Sequence, residues 1–388
     1  MKLAFYYHIP ICQNELGINV PGYLGVFIDA LAENVEWLFL VMHSASNNKI
    51  KEADYLLKSK NITWINLGLK KSPLKRVLFP SQYLKNKLNQ IEDCEAFIIR
   101  SPTPFAHSFD RFVKKPKIFF MVVGDYSEGA NQIGKKGIKN VLLYYFFKFV
   151  DFRFRAKMKK TSVFVNSPQL FEKYKDNSLS IDLIKTTTLR NVDFFEKNDF
   201  DLNESVKLLY TGRIDPSKGL TELINACSKL KNTGLSIKLN IVGWEDNESK
   251  PFESELLQLA IKLGIENNIQ FHGKKKIGEE LNKMYRSNDI YVLASYHEGF
   301  PRTIWEAMAN SLPVIATKVG AIPFYLKNEE DSILINPKKS DEIVDSVLKL
   351  IESRDLRIKL VKNGYKLASL NSLENQTKIM IQLIKLKL

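Results

Sequence analysis

Glu298 and Glu306 stand with seven residues between them in Leu293-Ala-Ser-Tyr-His-Glu-Gly-Phe-Pro-Arg-Thr-Ile-Trp-Glu-Ala-Met-Ala-Asn310. The run from Asp289 to Ala294 ahead of them predicts a buried strand. Pro301, with its fixed backbone angle and no amide donor to lose, predicts the first residue of a helix. The unit therefore reads strand, glycine loop, helix, with Glu298 in the loop and Glu306 just over a turn inside the helix. Free amides at a helix start carry partial positive charge and attract an anion, while carboxylates beside them accept hydrogen bonds from hydroxyls. Such a unit holds a phosphate and a polyol side by side. Taken alone, the pair is also compatible with an ordinary solvated surface, because 26% of the residues are charged.

A second cluster makes the same demand. Val206 to Thr211 predicts a strand running into Gly212-Arg213-Ile-Asp-Pro-Ser-Lys218-Gly219 and then an amphipathic helix. Arg213 and Lys218 would lie at the strand's C-terminal end, the edge where open parallel sheets bind ligands. A guanidinium fork and a flexible ammonium together neutralise a diphosphate without a metal. The bland alternative is a solvated loop with a salt bridge to Asp215. Two such loops in order within one doubly wound half favour the binding reading.

The stretch from Val206 to Asp341 resembles the retaining glycosyltransferases of the GT-B fold, in the large family 4 (glycosyl transferases group 1). The matching pieces are Thr211-Gly-Arg-Ile-Asp-Pro-Ser-Lys-Gly219, Ile241-Val-Gly243, Ile269-Gln-Phe-His-Gly273, Glu298-Gly-Phe-Pro301 with Glu306, and Thr317-Lys-Val-Gly320. The resemblance implies an α/β chain with two Rossmann-like domains facing each other across a cleft. It implies that Arg213 and Lys218 bind the donor diphosphate and that Glu306 holds the ribose hydroxyls. Glu298, with Gly299 and Phe300, would meet the donor sugar, and His272 to Ile277 would face the base. Gly212, Gly243, Gly273 and Pro301 complete the implied donor site. Two departures from the family pattern bear on sugar selectivity: Ala321 and Phe324 follow the Val319-Gly320 turn, and Ser332 stands where a glycine is usual.

A chain of 388 residues exceeds what one hydrophobic core organises, so two domains are expected. We expect an N-terminal Rossmann-like acceptor-binding domain over 1–192, an interdomain hinge over 193–205, a nucleotide-sugar domain over 206–370, and a C-terminal helix over 371–388 that crosses back. Strands are predicted near Lys2 to Tyr7, Trp37 to Met42, Ala96 to Arg100, Lys117 to Val123 and Ser162 to Asn166. In the second half they are predicted near Lys238 to Val242, Ile269 to Phe271, Pro313 to Ala316 and Ile333 to Ile335. Cys12, Cys94 and Cys227 lack metal spacing and read as reduced thiols. Met1-Lys-Leu-Ala-Phe-Tyr-Tyr7 reads as a strand and not a secretory leader, and no apolar run reaches spanning length, so a cytoplasmic, soluble or peripheral protein is expected.

For the acceptor, the strand ends of the first half offer Arg100, His107 and Asp125. Asp125 is the local choice for orienting an incoming hydroxyl, because Val123 stands where many relatives carry a histidine. Gly17, in Gly17-Ile-Asn-Val-Pro-Gly22-Tyr-Leu-Gly25, lets the backbone approach a ligand or simply makes a turn. Arg100 suits an acidic acceptor. No metal is expected: Asp199-Phe-Asp201 falls in the hinge, and His8, His43 and His297 share no ligand spacing. The expected catalytic set is Glu298, Arg213, Lys218 and Asp125. The expected reaction is front-face transfer with retention from a UDP-sugar to a glycan or lipid-linked oligosaccharide of capsule or lipopolysaccharide.

The balance of 57 Lys plus Arg against 43 Asp plus Glu leaves a net charge of +14. Lys70 to Lys87 and Lys135 to Lys160 interleave basic with aromatic residues, a mixture that suits an interfacial helix on anionic lipid. The alternative is a domain helix with an aromatic core face and solvated lysines. Charge alone also admits a nucleic-acid-binding protein, but no RNA-binding aromatic signature, zinc spacing or helix-turn-helix accompanies it, so no specific nucleic-acid partner is expected. A non-transferase GT-B protein, such as an epimerase, phosphorylase or nucleotide-sugar sensor, keeps the fold but requires further site residues.

Overall fold

Runs such as Leu3-Ala-Phe-Tyr6 and Ile290-Tyr-Val-Leu293 are apolar at every position. They bury both faces, which is the pattern of a covered parallel sheet. The computed structural model describes residues 1–45, 53–70, 72–103, 105–124, 138–185, 187–202 and 204–388. In chain order the strands are β1 (Lys2–Tyr6), β2 (Cys12–Asn14), β3 (Gly17–Val20), β4 (Trp37–Ser44), β5 (Tyr55–Leu56), β6 (Ile62–Leu69), β7 (Ala96–Ser101) and β8 (Lys117–Val122). They continue with β9 (Ser162–Val165), β10 (Ser180–Leu183), β11 (Ser205–Arg213), β12 (Ser236–Trp244), β13 (Ile269–Phe271), β14 (Ile290–Leu293), β15 (Val314–Thr317) and β16 (Ile333–Ile335).

Among the described residues, a seven-stranded parallel sheet runs β10-β9-β8-β7-β1-β4-β6 and a six-stranded one β13-β12-β11-β14-β15-β16. Each reverses its winding beside its first strand, between β1 and β7 and between β11 and β14. The two strands that periodicity did not predict in the first sheet, β6 and β10, are its two edges. An edge strand has one neighbour and a partly wet surface, so its apolar signal is diluted, as the incomplete burial of both shows.

The antiparallel β2-β3-β5 sheet was also not predicted. It is held by the buried Asp29 carboxylate, which accepts from Tyr55 Oη at 2.8 Å and from the amides of Lys58 and Ser59 at 3.1 and 3.0 Å. Gly17 opens β3 in this hairpin. Gly25 gives way to the Tyr55 ring, where an added Cβ would lie 2.2 Å from Cδ1.

The chain divides into one unit of Met1–Thr186 with Glu374–Leu388 and another of Thr187–Leu373. The segment 193–205, expected as a hinge, belongs to the second unit. Asp193 accepts from Asn282 Nδ2 at 2.7 Å and Phe195 N donates to Ala309 O at 2.8 Å. Its acidic residues have partners inside that unit, such as Asp201 with Arg354 at 2.7 Å. The Leu373–Lys387 helix packs on the first unit. Gln376 Oε1 there accepts from Lys185 N at 2.8 Å, and Lys387 pairs with Asp182. Among the described residues no helix is long and apolar enough to cross a membrane.

His43 and His107 are buried in the first unit, and burial pushes both down to about 4. The unfolded chain binds protons on these rings from about pH 6.5 downward while the folded chain resists, so their contribution is present above pH 6.5 and is lost as pH falls toward 4. Stability should drop by about 1 kcal/mol per pH unit per ring between pH 6.5 and 4.5. Thermal melts of the His43→Gln chain should show a shallower decline than the natural sequence. Equal slopes would refute the assignment.

Candidate functional site

Where a sheet reverses its winding, the loops after the two central strands part toward opposite faces and leave a crevice at the C-terminal edge. In the second unit those are the loops after β11 and β14. The first is tied by Asp215, whose Oδ1 accepts from Ser217 N at 2.8 Å and so shapes the turn Pro216–Lys218. The Ser217 hydroxyl, which donates to the same oxygen, and then the Ser217 amide hold the Asp215 carboxyl below its usual range. The turn ends at Gly219, which adopts φ +67° at the start of the Leu220–Asn232 helix.

The two loops lock together through their backbones. Tyr296 N donates to Ser217 O at 2.7 Å, and a Cβ on Gly219 would lie 2.0 Å from Ala294 O. The loop after β15 joins them: Ala321 N donates to Gly299 O at 2.8 Å, and a Cβ on Gly320, at φ +58°, would lie 1.9 Å from Glu298 O. Thr317 Oγ1 fixes Ser295 O at 2.7 Å.

This framework sets Lys218 Nζ 2.7 Å from Glu298 Oε1, with 14% and 13% of the two side chains exposed. Ser295 Oγ donates to the same carboxylate oxygen at 2.8 Å. Arg213, half-exposed at the end of β11, places Nη1 3.3 Å from Asp246 Oδ2, and Trp244 Nε1 donates to Asp246 Oδ1 at 2.9 Å. The bland sequence reading, a salt bridge to Asp215, is thus replaced by partners from distant loops. On the neighbouring strand, a Cβ at Gly243 would fall 1.7 Å from Gly212 O, so these glycines let the ends of β11 and β12 close up.

Glu306 is 6% exposed in the Arg302–Ala309 helix. Its Oε1 accepts from Thr188 Oγ1 at 2.7 Å and its Oε2 from Tyr285 Oη at 2.8 Å. Tyr285 in turn shares a 2.7 Å hydrogen bond with Thr211 Oγ1. Burial, reinforced by the Glu306 charge, raises the Tyr285 phenol well above its usual range and keeps its proton in place. A carboxylate accepts about four hydrogen bonds, so Glu306 retains capacity for a ligand. Sequence reasoning missed Thr188 and Tyr285, since each lies far along the chain and carries no local signal.

Pro301 is the residue before the helix and not its first: its ψ is 119° and its carbonyl accepts from Ile304 N at 3.2 Å. The ring's fixed φ suits either position. Phe300 stacks on Trp305 with centroids 4.5 Å apart and meets Tyr325 edge-on at 5.0 Å. His272 Nε2 lies 2.7 Å from Asn240 Oδ1, and burial together with Lys275 lowers its pKa. Gly273 O accepts from Gly243 N at 3.0 Å, and half-buried Ile277 follows in the same loop.

In the first unit, Arg100 ends β7 with its guanidinium 4.6 Å from the Tyr7 ring centre. His107 is not beside it, for its charged neighbours are Arg153, Arg111, Asp110 and Lys157. Asp125 and the stretch Lys135 to Gly137 lie outside the described residues. Asp199 and Asp201 are engaged locally: Asp201 N donates to Asp199 Oδ1 at 2.8 Å and Asp201 pairs with Arg354. Among the described residues, no group of three His, Cys, Asp or Glu side chains is placed to hold a metal ion.

Residues 193–367 match the profile of the family described as glycosyl transferases group 1. Protein CapJ of Staphylococcus aureus is 30% identical over 221 residues, 57% of this chain and 54% of CapJ, so the chain spans about half the length of that relative. The capsular polysaccharide biosynthesis glycosyltransferase CapM of Staphylococcus aureus is 26% identical over 320 residues, 76% of this chain and 78% of CapM. The crystal structure of Anabaena HepE in complex with UDP superposes with a TM-score of 0.71 at 15% identity, covering 100% of both chains. That likeness shows the fold, GT-B, with two Rossmann-like units in one chain.

The Lys218 and Glu298 charges depend on each other. Removing one partner of a shielded pair leaves the other uncompensated, so Glu298→Ala should cost about 3 kcal/mol. The double variant Lys218→Met, Glu298→Leu should recover most of that loss in a urea titration. Strictly additive losses would show that the pair is not coupled.

Proposed function

We propose, from the premise that residues 193–367 belong to the glycosyl transferases group 1 family, that this chain transfers a sugar from a nucleoside diphosphate. The donor is a UDP-sugar, and the acceptor is a glycan or lipid-linked oligosaccharide of a surface polysaccharide. Transfer retains the anomeric configuration and needs no metal. The observation that carries this reading is the 2.7 Å contact between Lys218 and Glu298 at the winding reversal of the second sheet.

Glu298 holds the ammonium of Lys218 in the crevice. An arriving diphosphate competes for that ammonium and recruits the half-exposed Arg213, and Glu298 is left facing the sugar. The two cations then stabilise the charge that grows on the leaving diphosphate. Glu298 stabilises the positive charge that develops on the ring. The acceptor hydroxyl arrives on the face from which the diphosphate departs, and a phosphate oxygen takes its proton. Glu306, oriented by Thr188 and Tyr285, accepts from the ribose hydroxyls. The name of CapM, and the structures of HepE with UDP and with UDP-glucose, support the choice of reaction and donor.

The Ile138–Met158 helix favours a further element of this reading. Leu142, Tyr145, Phe149 and Phe152 recur at helical spacing, and each is more than half exposed. Lys148 and Arg153 stand among them, Arg153 with its guanidinium 6.0 Å from the Phe149 ring centre. Leu74, Leu78 and Phe79 are likewise exposed next to Lys75. A stripe of large apolar side chains rimmed by cations seats on an anionic bilayer, and a lipid-carried acceptor gives that seat a purpose.

UDP should raise the melting temperature more than GDP or ADP, since a ligand bound by the folded state alone stabilises it. Arg213→Ala should lower kcat about a hundredfold, whereas Glu306→Ala should mainly raise the donor KM. Undiminished turnover in Arg213→Ala would remove the mechanism. For the membrane seat, Phe149→Ser with Phe152→Ser should reduce co-sedimentation with phosphatidylglycerol vesicles about tenfold. Equal binding of the natural sequence to phosphatidylcholine vesicles, or to neither, would dismiss it.

A further inference from the structure

The first sheet has its own winding reversal, between β1 and β7, and the side chains gathered at that C-terminal edge are basic. His8 follows β1, His43 lies near the end of β4, Lys70 follows β6, Arg100 lies near the end of β7, and Arg76 stands in the Pro73–Leu78 helix. The charges acting on His8 are those of Lys70, Arg76, Arg100 and His43, every one a base. Arg76 is 2% exposed, and neither its Nε nor its Nη1 has a hydrogen-bond partner among the described residues. The guanidinium does hydrogen-bond the Tyr6 phenol, the Tyr83 phenol is a further electrostatic partner, and the Phe105 ring centre lies 5.9 Å away.

A guanidinium keeps its proton in any protein environment, so Arg76 is a buried positive charge facing phenols and a ring. Buried charges are ordinarily paired, and buried donors are ordinarily satisfied, because leaving them otherwise is costly. The shortfall extends to neighbouring groups: His8 Nδ1 and the hydroxyl of buried Ser101, at the end of β7, also have no hydrogen-bond partner among the described residues. Several unsatisfied groups at the edge where doubly wound sheets take ligands fit an anion-binding role better than a packing fault.

We propose that this edge of the first unit is an oxyanion pocket in which Arg76, His8 and Ser101 receive a phosphate or carboxylate carried by the acceptor. His43 refines the specificity. Its Nδ1 lies 3.1 Å from Gly68 O and so carries the hydrogen, which leaves the buried Nε2 bare and able to accept from a hydroxyl beside the anion. Burial pushes His8 down to about 3 and His43 to about 4, so both rings are neutral at pH 7 and the fixed charge in the pocket comes from arginine and lysine. The acceptor class that fits is a sugar phosphate or uronic acid, with a hydroxyl next to its charge.

This inference rests on the transferase reading for its purpose, but its test does not. Melting curves are recorded with inorganic phosphate at constant ionic strength in the Arg213→Ala chain, so that the cations after β11 contribute less. A rise of about 2–4 °C is expected. Arg76→Met in that background should abolish the rise, and His8→Asn should at least halve it. Glucose 1-phosphate and glucuronate, compared with glucose, then tell phosphate from carboxylate recognition. UDP, added separately to a chain with only Arg76→Met, should still stabilise it. Loss of the phosphate response with the UDP response intact therefore concerns this pocket, and failure of the UDP response concerns the donor reading. A phosphate response as large in Arg76→Met as in its parent, or no response of the parent to any of these anions, overturns the proposal. If Arg76→Met does not fold, His8→Asn decides, and an undiminished phosphate response there overturns it.

Discussion

The candidate site depends on backbone lying against backbone. The loops after β11, β14 and β15 approach so closely that Gly219 and Gly320 have no space for a Cβ, and both adopt positive φ. Glycine meets these two demands together, since it alone combines the absent side chain with ready access to that region. The reward is rigidity: a short turn after one strand and a long loop after another become a single surface. Lys218 and Glu298, carried on different loops, therefore meet with little freedom left to lose when a ligand arrives.

The two units treat buried polarity differently. Around Glu306 the chain supplies its own partners, with Thr188 and Tyr285 on the carboxylate and Thr211 behind the tyrosine. A satisfied network of this kind fixes an orientation before any substrate binds. Around Arg76 the donors converge and the chain leaves Nε and Nη1 without an acceptor among the described residues. The first arrangement holds a carboxylate in place with partners from its own chain, and the second leaves two guanidinium nitrogens for the proposed anion. Both occur where a doubly wound sheet reverses its winding, so the same topological fact locates each of them.

The excess of positive charge, +14 over the whole chain, is consistent with these demands. Part of it sits with the cations at the two sheet edges. Part decorates the Ile138–Met158 helix, where Lys148 and Arg153 stand among the exposed side chains of Leu142, Tyr145, Phe149 and Phe152.

The amino-acid order alone determined the local units: strands where apolar runs are continuous, glycine turns at their ends, and the loops that carry Arg213, Lys218, Glu298 and Glu306. It failed at the sheet edges β6 and β10 and at the placement of Pro301. In each case exposure or a remote partner overrides the local pattern. Tertiary structure decided who meets whom: Lys218 with Glu298, Arg213 with Asp246 instead of Asp215, Glu306 with Thr188 and Tyr285, and Arg76 with the phenols of Tyr6 and Tyr83. The reason is that periodicity and turn chemistry act over a few residues, whereas a side chain's partner is chosen by the crossovers that bring distant loops to one edge of a sheet.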